Sequence, residues 1–358
     1  MAQCSAPALG RRALTMSEVH KFLFEGLPVR GLLVKLTDCW QEVLKRRASN
    51  NETGAYPPEV RALLGEMTAA ATLMQTNIKF NGALVLQIFG DGPLKLAVVE
   101  VQADLSLRAT AKVVGALPSA EREASAETLS PYHLSDWVNV SNQGKCAITL
   151  DPKDPFPGQQ PYQGVVPFFD DLGRPIERFQ EVLEHYMLQS EQLDTTLVLA
   201  SNDEVAAGLL IQRLPSLGVG NLGGGKVMQD EDQIGLNEDF KRISMLAKTL
   251  TAQELLGLSP DEVLHRLFWE ERCLKLEPSA AAPMLSPRFA CSCSKERVSR
   301  MLQGLGEEEA QSIVAERGEI EVGCEFCGRQ YRFDAVDAAA LFATSWVLPG
   351  HAEPDRRH

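Results

Sequence analysis

The chain has 358 residues, 44% hydrophobic and 23% charged, with 48 Asp and Glu against 35 Lys and Arg and a formal net charge of −13. That composition suits a globular protein with room for two domains and disfavours low-complexity disorder. The negative charge disfavours a general nucleic-acid or anionic-membrane role, which needs a positive field, and no apolar run of about eighteen residues or more is present to span a bilayer.

Residues 1–15 hold Arg11 and Arg12 with no apolar stretch after them, so they predict a flexible N-terminal extension rather than a signal peptide, with Met16 as an alternative start. Residues 16–214 predict an N-terminal α+β domain. Residues 22–24 and 32–36 predict strands. Residues 58–77 predict a helix, with Pro58 at its first position and Val60, Leu63, Leu64 and Met67 on one face. Residues 83–89 and 94–101 predict two strands joined by Gly90-Asp-Gly-Pro93, a hairpin turn signal. Strands are further predicted at 105–114, 146–150, 196–200 and 207–211, and an amphipathic helix at 175–193. Strands in runs with irregularly placed helices argue for an α+β fold.

Residues 215–235 are glycine-rich with an acidic run, Asp230-Glu-Asp232, and predict a flexible insertion that opens a helical linker over 215–288. Phe240, Ile243, Leu246, Ala247 and Leu250 recur with helical spacing. Ser259-Pro-Asp-Glu262 predicts a second helix start, with Ser as cap and Glu at the capping-box position. An Ala/Pro-rich break at 278–287 follows, then a four-cysteine domain over 289–348, and a flexible tail over 349–358.

The four cysteines form a C-x-C pair, Cys291 and Cys293, and a C-x-x-C pair, Cys324 and Cys327. Four soft thiolates in two short pairs are a tetrahedral zinc site, one ion per chain. Ile320 and Val322 alternate before the second pair and Tyr331 and Phe333 after it, so the pair predicts a knuckle at a hairpin tip, with Gly328 supplying a positive φ. Two short helices, 295–303 and 307–316, are expected between the pairs. Thiolate-bound zinc fits a reducing, cytoplasmic compartment. Cys4, Cys39, Cys146 and Cys273 lie scattered and read as small hydrophobes.

Other motifs fail on context. Gly218-Val-Gly-Asn-Leu-Gly223 matches a dinucleotide fingerprint and 220–226 most of a P-loop, but the acidic stretch that follows is a poor helix start and would repel phosphates. No two of the six histidines, His20, His133, His185, His265, His351 and His358, sit three or four residues apart, and no acid–base pair or nucleophile elbow is found, so no enzyme and no catalytic residue is expected. A four-cysteine site is also open to two other functions: a zinc-ribbon nucleic-acid-binding protein, with Lys295, Arg297, Arg300, Arg329 and Arg332 as contacts, and a thiol–disulfide oxidoreductase built on Cys324-Glu-Phe-Cys327.

The segments Phe289-Ala-Cys291-Ser-Cys293-Ser-Lys-Glu-Arg297, Gly318-Glu-Ile-Glu-Val-Gly-Cys324-Glu-Phe-Cys327-Gly328 and Tyr331-Arg-Phe333 resemble the redox-regulated heat-shock chaperone family, the thirty-three-kilodalton chaperonin of bacteria. So do Lys21-Phe-Leu-Phe24, Val29-Arg-Gly31, Pro161-Tyr-Gln-Gly164, Tyr186-Met-Leu-Gln-Ser-Glu-Gln-Leu193 and Glu262-Val-Leu-His-Arg-Leu-Phe268, and the likeness runs over residues 16–345. The resemblance implies an ATP-independent holdase, inactive when reduced and zinc-bound. Oxidation would form disulfides Cys291–Cys293 and Cys324–Cys327, release zinc and unfold the C-terminal switch and a metastable linker. Residues 16–214 would bind unfolding client proteins and form a homodimer when oxidised, with clients later passed to ATP-driven foldase chaperones. The glycine-rich stretch 215–235 is longer than the family pattern leads one to expect, which bears on the activation threshold.

Overall fold

A five-stranded sheet covered on both faces sets the architecture of the larger part of the chain. In the computed structural model, which describes residues 16–50, 54–117, 132–214, 237–276 and 285–343, the chain forms two compact units, Met1–Ala290 and Cys291–His358. The expectations for residues 1–15, 215–235 and 349–358, the break at 278–284, and Cys4, His351 and His358 lie outside the described residues.

In the first unit β1 (Glu18–Phe24), β2 (Val29–Leu36), α1 (Asp38–Ala48), α2 (Pro58–Asn77), β3 (Gly82–Phe89), β4 (Leu94–Gln102), β5 (Ser106–Val113), α3 (Leu134–Trp137), β6 (Lys145–Pro152), β7 (Tyr162–Pro167), α4 (Phe179–Gln189), β8 (Thr195–Ser201), β9 (Ala206–Arg213), α5 (Glu238–Lys248), α6 (Ala252–Gly257), α7 (Pro260–Phe268), β10 (Cys273–Lys275) and β11 (Arg288–Phe289) follow in order. Two sheets result, with strand orders β10-β1-β2-β9-β8 and β11-β5-β4-β3-β6-β7. Among the described residues every pairing in them is antiparallel except β11 on β5. This mixed α/β content bears out the expected fold class.

α2 packs against strands of both sheets. Its spacing predicts one apolar face, yet burial extends nearly all round it, to Glu66, Thr68, Ala69, Ala70, Ala71 and Thr72. Small side chains allow a sheet on either side, and a helix with no exposed stripe is a buried one. The buried hydroxyls of Thr68 and Thr72 are satisfied by the carbonyls one turn back, at 2.6 and 2.8 Å.

The five-stranded sheet buries its two faces in different cores. Leu32 and Val34 of β2 join the core around α2, while Leu33 points the other way with Phe22, Phe24, Leu209 and Ile211. That second face is roofed by α5, α6 and α7 through Phe240, Ile243, Leu255, Val263, Leu267 and Phe268. Phe24 meets Phe268 edge-to-face at 5.0 Å. Gly31 leaves room for an aromatic ring: a Cβ there would lie 2.1 Å from the Phe22 ring. The roof helices are capped as their sequences dictate. Asn237 accepts from Phe240 N, and Ser259 and Glu262 form the expected capping box. A second box, Thr251 with Glu254, starts α6, a helix too short for apolar periodicity to reveal.

The helix expected over 175–193 is shorter, Phe179–Gln189, because Pro175 forms a bridge with Phe169 and the chain turns helical only after Arg178. In the second unit α8 (Lys295–Leu305), α9 (Glu307–Arg317), β12 (Ile320–Gly323), β13 (Gln330–Phe333) and α10 (Ala335–Ala343) surround a small core of Leu302, Ala310, Ile320, Tyr331, Phe333 and Ala338. The two helices and the hairpin stand where the sequence predicts them.

Candidate metal centre

Each cysteine pair is presented by a different local device. Cys291 and Cys293 lie in the extended segment between β11 and α8. Ser294 ends that segment as the N-cap of α8, accepting from Arg297 N. Arg297 reaches back to donate to Ser292 O at 3.1 Å and Ser292 Oγ at 2.5 Å, so the residue between the two sulfurs is clamped. Sequence reasoning misses this clamp; its one signal there is the position of Arg297, three residues after the cap.

Cys324 and Cys327 occupy the turn of the β12–β13 hairpin. Cys324 N donates to Arg329 O at 2.9 Å and Gly328 N to Cys324 O at 2.8 Å. Gly328 has φ of 70°, the positive value that the turn requires. Cys293 also packs against the unit's apolar core, which ties sulfur position to the fold.

The four sulfurs all lie within 4.8 Å of one another, and no histidine or carboxylate joins them among the described residues. Close contacts cross between the two pairs: 3.6 Å for Cys291–Cys324 and 3.3 Å for Cys293–Cys327. Four Zn–S bonds of about 2.3 Å in a tetrahedron put sulfurs roughly 3.8 Å apart. The donor set, number and spacing therefore fit a zinc ion.

The thiols are electrostatically unlike the other cysteines. A hydrogen bond from Cys324 lowers Cys291 to about 4, so its thiolate forms readily, while the same contact holds the proton on Cys324 and pushes it up. Burial raises Cys327. A metal cation would displace these protons. By contrast, burial drives Cys39 and Cys146 up to about 12 and Cys273 to about 11, which leaves them protonated and inert at neutral pH.

Three of the five basic residues considered for nucleic-acid contact are engaged locally. Lys295 lies 3.4 Å from Asp337 and over the Phe333 ring, Arg297 holds Ser292, and Arg332 pairs with Glu321 at 2.6 Å. The dinucleotide and P-loop matches fall outside the described residues.

A family model described as Hsp33 protein matches residues 17–334. The chain is 42% identical over 326 residues to a 33 kDa chaperonin of Chromobacterium violaceum, covering 91% of this chain and 93% of that one. It is 40% identical over 343 residues to one of Methylobacillus flagellatus, covering 95% and 98%. The crystal structure of the 33 kDa chaperonin of Thermotoga maritima superposes with a TM-score of 0.64 at 19% identity, covering 91% of this chain and 98% of that one, which shows a shared fold.

Proposed function

The chain belongs to the Hsp33 family of chaperones, and on that footing we propose that it is an ATP-independent holdase held inactive by zinc and switched on by oxidation. The observation that carries the proposal is the convergence of four thiols, from two separate loops, over a unit whose own apolar core holds six buried residues among those described. A core that small needs a staple. Zinc held by Cys291, Cys293, Cys324 and Cys327 would supply roughly 10–16 kcal/mol of apparent binding energy that counts as folding energy.

Oxidation attacks the protein's side of that arrangement. Two thiols give up two electrons and two protons to a peroxide, which leaves as two waters, and one disulfide forms. Two such events consume all four ligands. In the folded unit all four sulfurs lie within 4.8 Å of one another and close contacts cross between the pairs, so folded-state distance does not single out pairing within each motif. Once the unit loosens, closing a loop of one or two residues costs least entropy, which supports Cys291–Cys293 and Cys324–Cys327 as the redox-active disulfides.

The surface freed for clients is the face of the five-stranded sheet now under α5–α7. Phe22, Phe24, Leu33, Leu209 and Ile211 meet the roof there, and helices of 11, 6 and 9 residues are marginal once undocked. This face, in residues 16–214, serves unfolding client proteins and the homodimer of the oxidised state, with later hand-over to ATP-driven foldases in the cytoplasm. Among the described residues no helix is long and apolar enough to cross a membrane, and no catalytic role is assigned.

The test is zinc release and suppression of client aggregation measured together by metal indicator and light scattering, before and after peroxide at mild heat. Protection should appear only with zinc loss and without ATP. Equal protection by the reduced, zinc-loaded protein, or a requirement for ATP, would refute the reading. Peptide mapping of the oxidised protein tests the disulfide pairs.

A further inference from the structure

The zinc unit carries a cleft that the metal centre does not use. α8, α9 and β12 enclose a groove of about 530 Å³. Its floor is buried Leu302 and Ile320, and its apolar walls include Met301 and Leu305, 49% and 55% exposed. β12 forms one side of the groove and pairs only with β13, so its other edge is open among the described residues.

The direction of that edge follows from the hairpin. Cys324 sends its backbone N–H across to Arg329. Peptide groups alternate sides along an antiparallel strand, so those of Ile320 and Val322 also face β13 and those of Glu321 and Gly323 face outward. Two outward residues offer up to four main-chain hydrogen bonds. The rim is acidic: Glu309 and Glu316 from α9 join Glu319 and Glu321, against Arg317 within the cleft and Arg332, which bridges Glu321 and Glu319.

We propose that this groove is a peptide-docking site of the reduced, zinc-bound protein, in which a short extended segment alternating cationic and apolar residues adds a third strand to β12. Main-chain pairing with Glu321 and Gly323 would supply affinity, the apolar side chains would seat between Met301, Leu305 and Ile313, and the cationic ones would meet Glu309 and Glu316. Because β12 leads directly into Cys324, the site exists only while the zinc unit is folded. A bound segment would then oppose oxidative unfolding by mass action: at ten times its Kd it lowers the unfolding-competent population about elevenfold. This last consequence rests on the redox reading above; docking itself requires only the folded unit.

The experiment uses the reduced, zinc-loaded full chain and a fluorescein-labelled Lys-Val-Lys-Leu-Lys-Val peptide, read by anisotropy. Binding is expected. Replacing each Lys by Glu, or methylating alternate backbone nitrogens, should abolish it. The double variant Glu309→Lys/Glu316→Lys should bind about fivefold more weakly, and Met301→Asp should also weaken it, both with full zinc content as the control for folding. Unlabelled peptide should slow peroxide-driven zinc release. The proposal is overturned if the Lys peptide fails to bind at about 1 mM, if the Glu or N-methylated peptide binds as well, if both variants bind unchanged, or if Met301→Asp instead abolishes a self-association of the wild type, which would assign the cleft to a second copy. Unaltered zinc release despite binding overturns the coupling alone. Zinc release that never activates the chaperone fails the redox reading and leaves the docking result standing.

Discussion

Truncating Ile243 should activate the chaperone with less oxidant. The side chain is fully buried on α5, on the face that meets the five-stranded sheet with Phe240 and Ala247. Ile→Ala deletes the equivalent of three methylenes, each worth about 0.8 kcal/mol in transfer. The cavity left behind brings the cost to about 3 kcal/mol. That sum is taken from the docking of an 11-residue helix with little stability of its own. About 3 kcal/mol shifts a docked-to-undocked ratio by more than about a hundredfold. The matched control is Leu63→Ala, equally buried in the core around α2, which should lower global stability without freeing the roof. Hydrogen exchange of amides in α5–α7 reports the undocking, and light scattering of a heat-unfolding client at graded peroxide reports the threshold. Unchanged exchange and an unchanged threshold in Ile243→Ala, or an equal drop in threshold in Leu63→Ala, would refute the assignment of this face as the covered client surface.

Replacing Cys324 and Cys327 together by Ser should eliminate zinc from the reduced protein and melt the second unit while the two sheets of the first stay folded; full zinc occupancy in that variant would contradict the ligand assignment. Zinc binding at pH 7 should release protons, because Cys324 and Cys327 are raised and hold theirs in the metal-free site; affinity should therefore rise with pH, and calorimetry in buffers of different ionisation enthalpy that finds no release would refute this. Gly31→Ala should destabilise the first unit by about 1–3 kcal/mol, because its Cβ would meet the Phe22 ring; a denaturation midpoint equal to the parent would show that the ring yields freely.

Features made by neighbouring residues are legible in the amino-acid sequence itself. The four thiols need only their pairing along the chain, since two short loops each deliver two sulfurs. Pro58 at a helix start, the Ser259 capping box and the hairpin across Gly90–Pro93 are local hydrogen-bonding chemistry, and each stands where its residues place it. What tertiary structure decided is long-range. β10 and β11 are three and two residues long and become strands only because β1 and β5, distant in sequence, present open edges to them. α2 shows one apolar stripe in the sequence, yet a second sheet on its far side buries the rest. Sulfur contacts of 3.6 and 3.3 Å likewise join one pair to the other, across more than thirty residues of chain. Spacing along a chain sets which groups can meet locally; which surfaces cover one another depends on partners far away along the chain, and no local pattern encodes that.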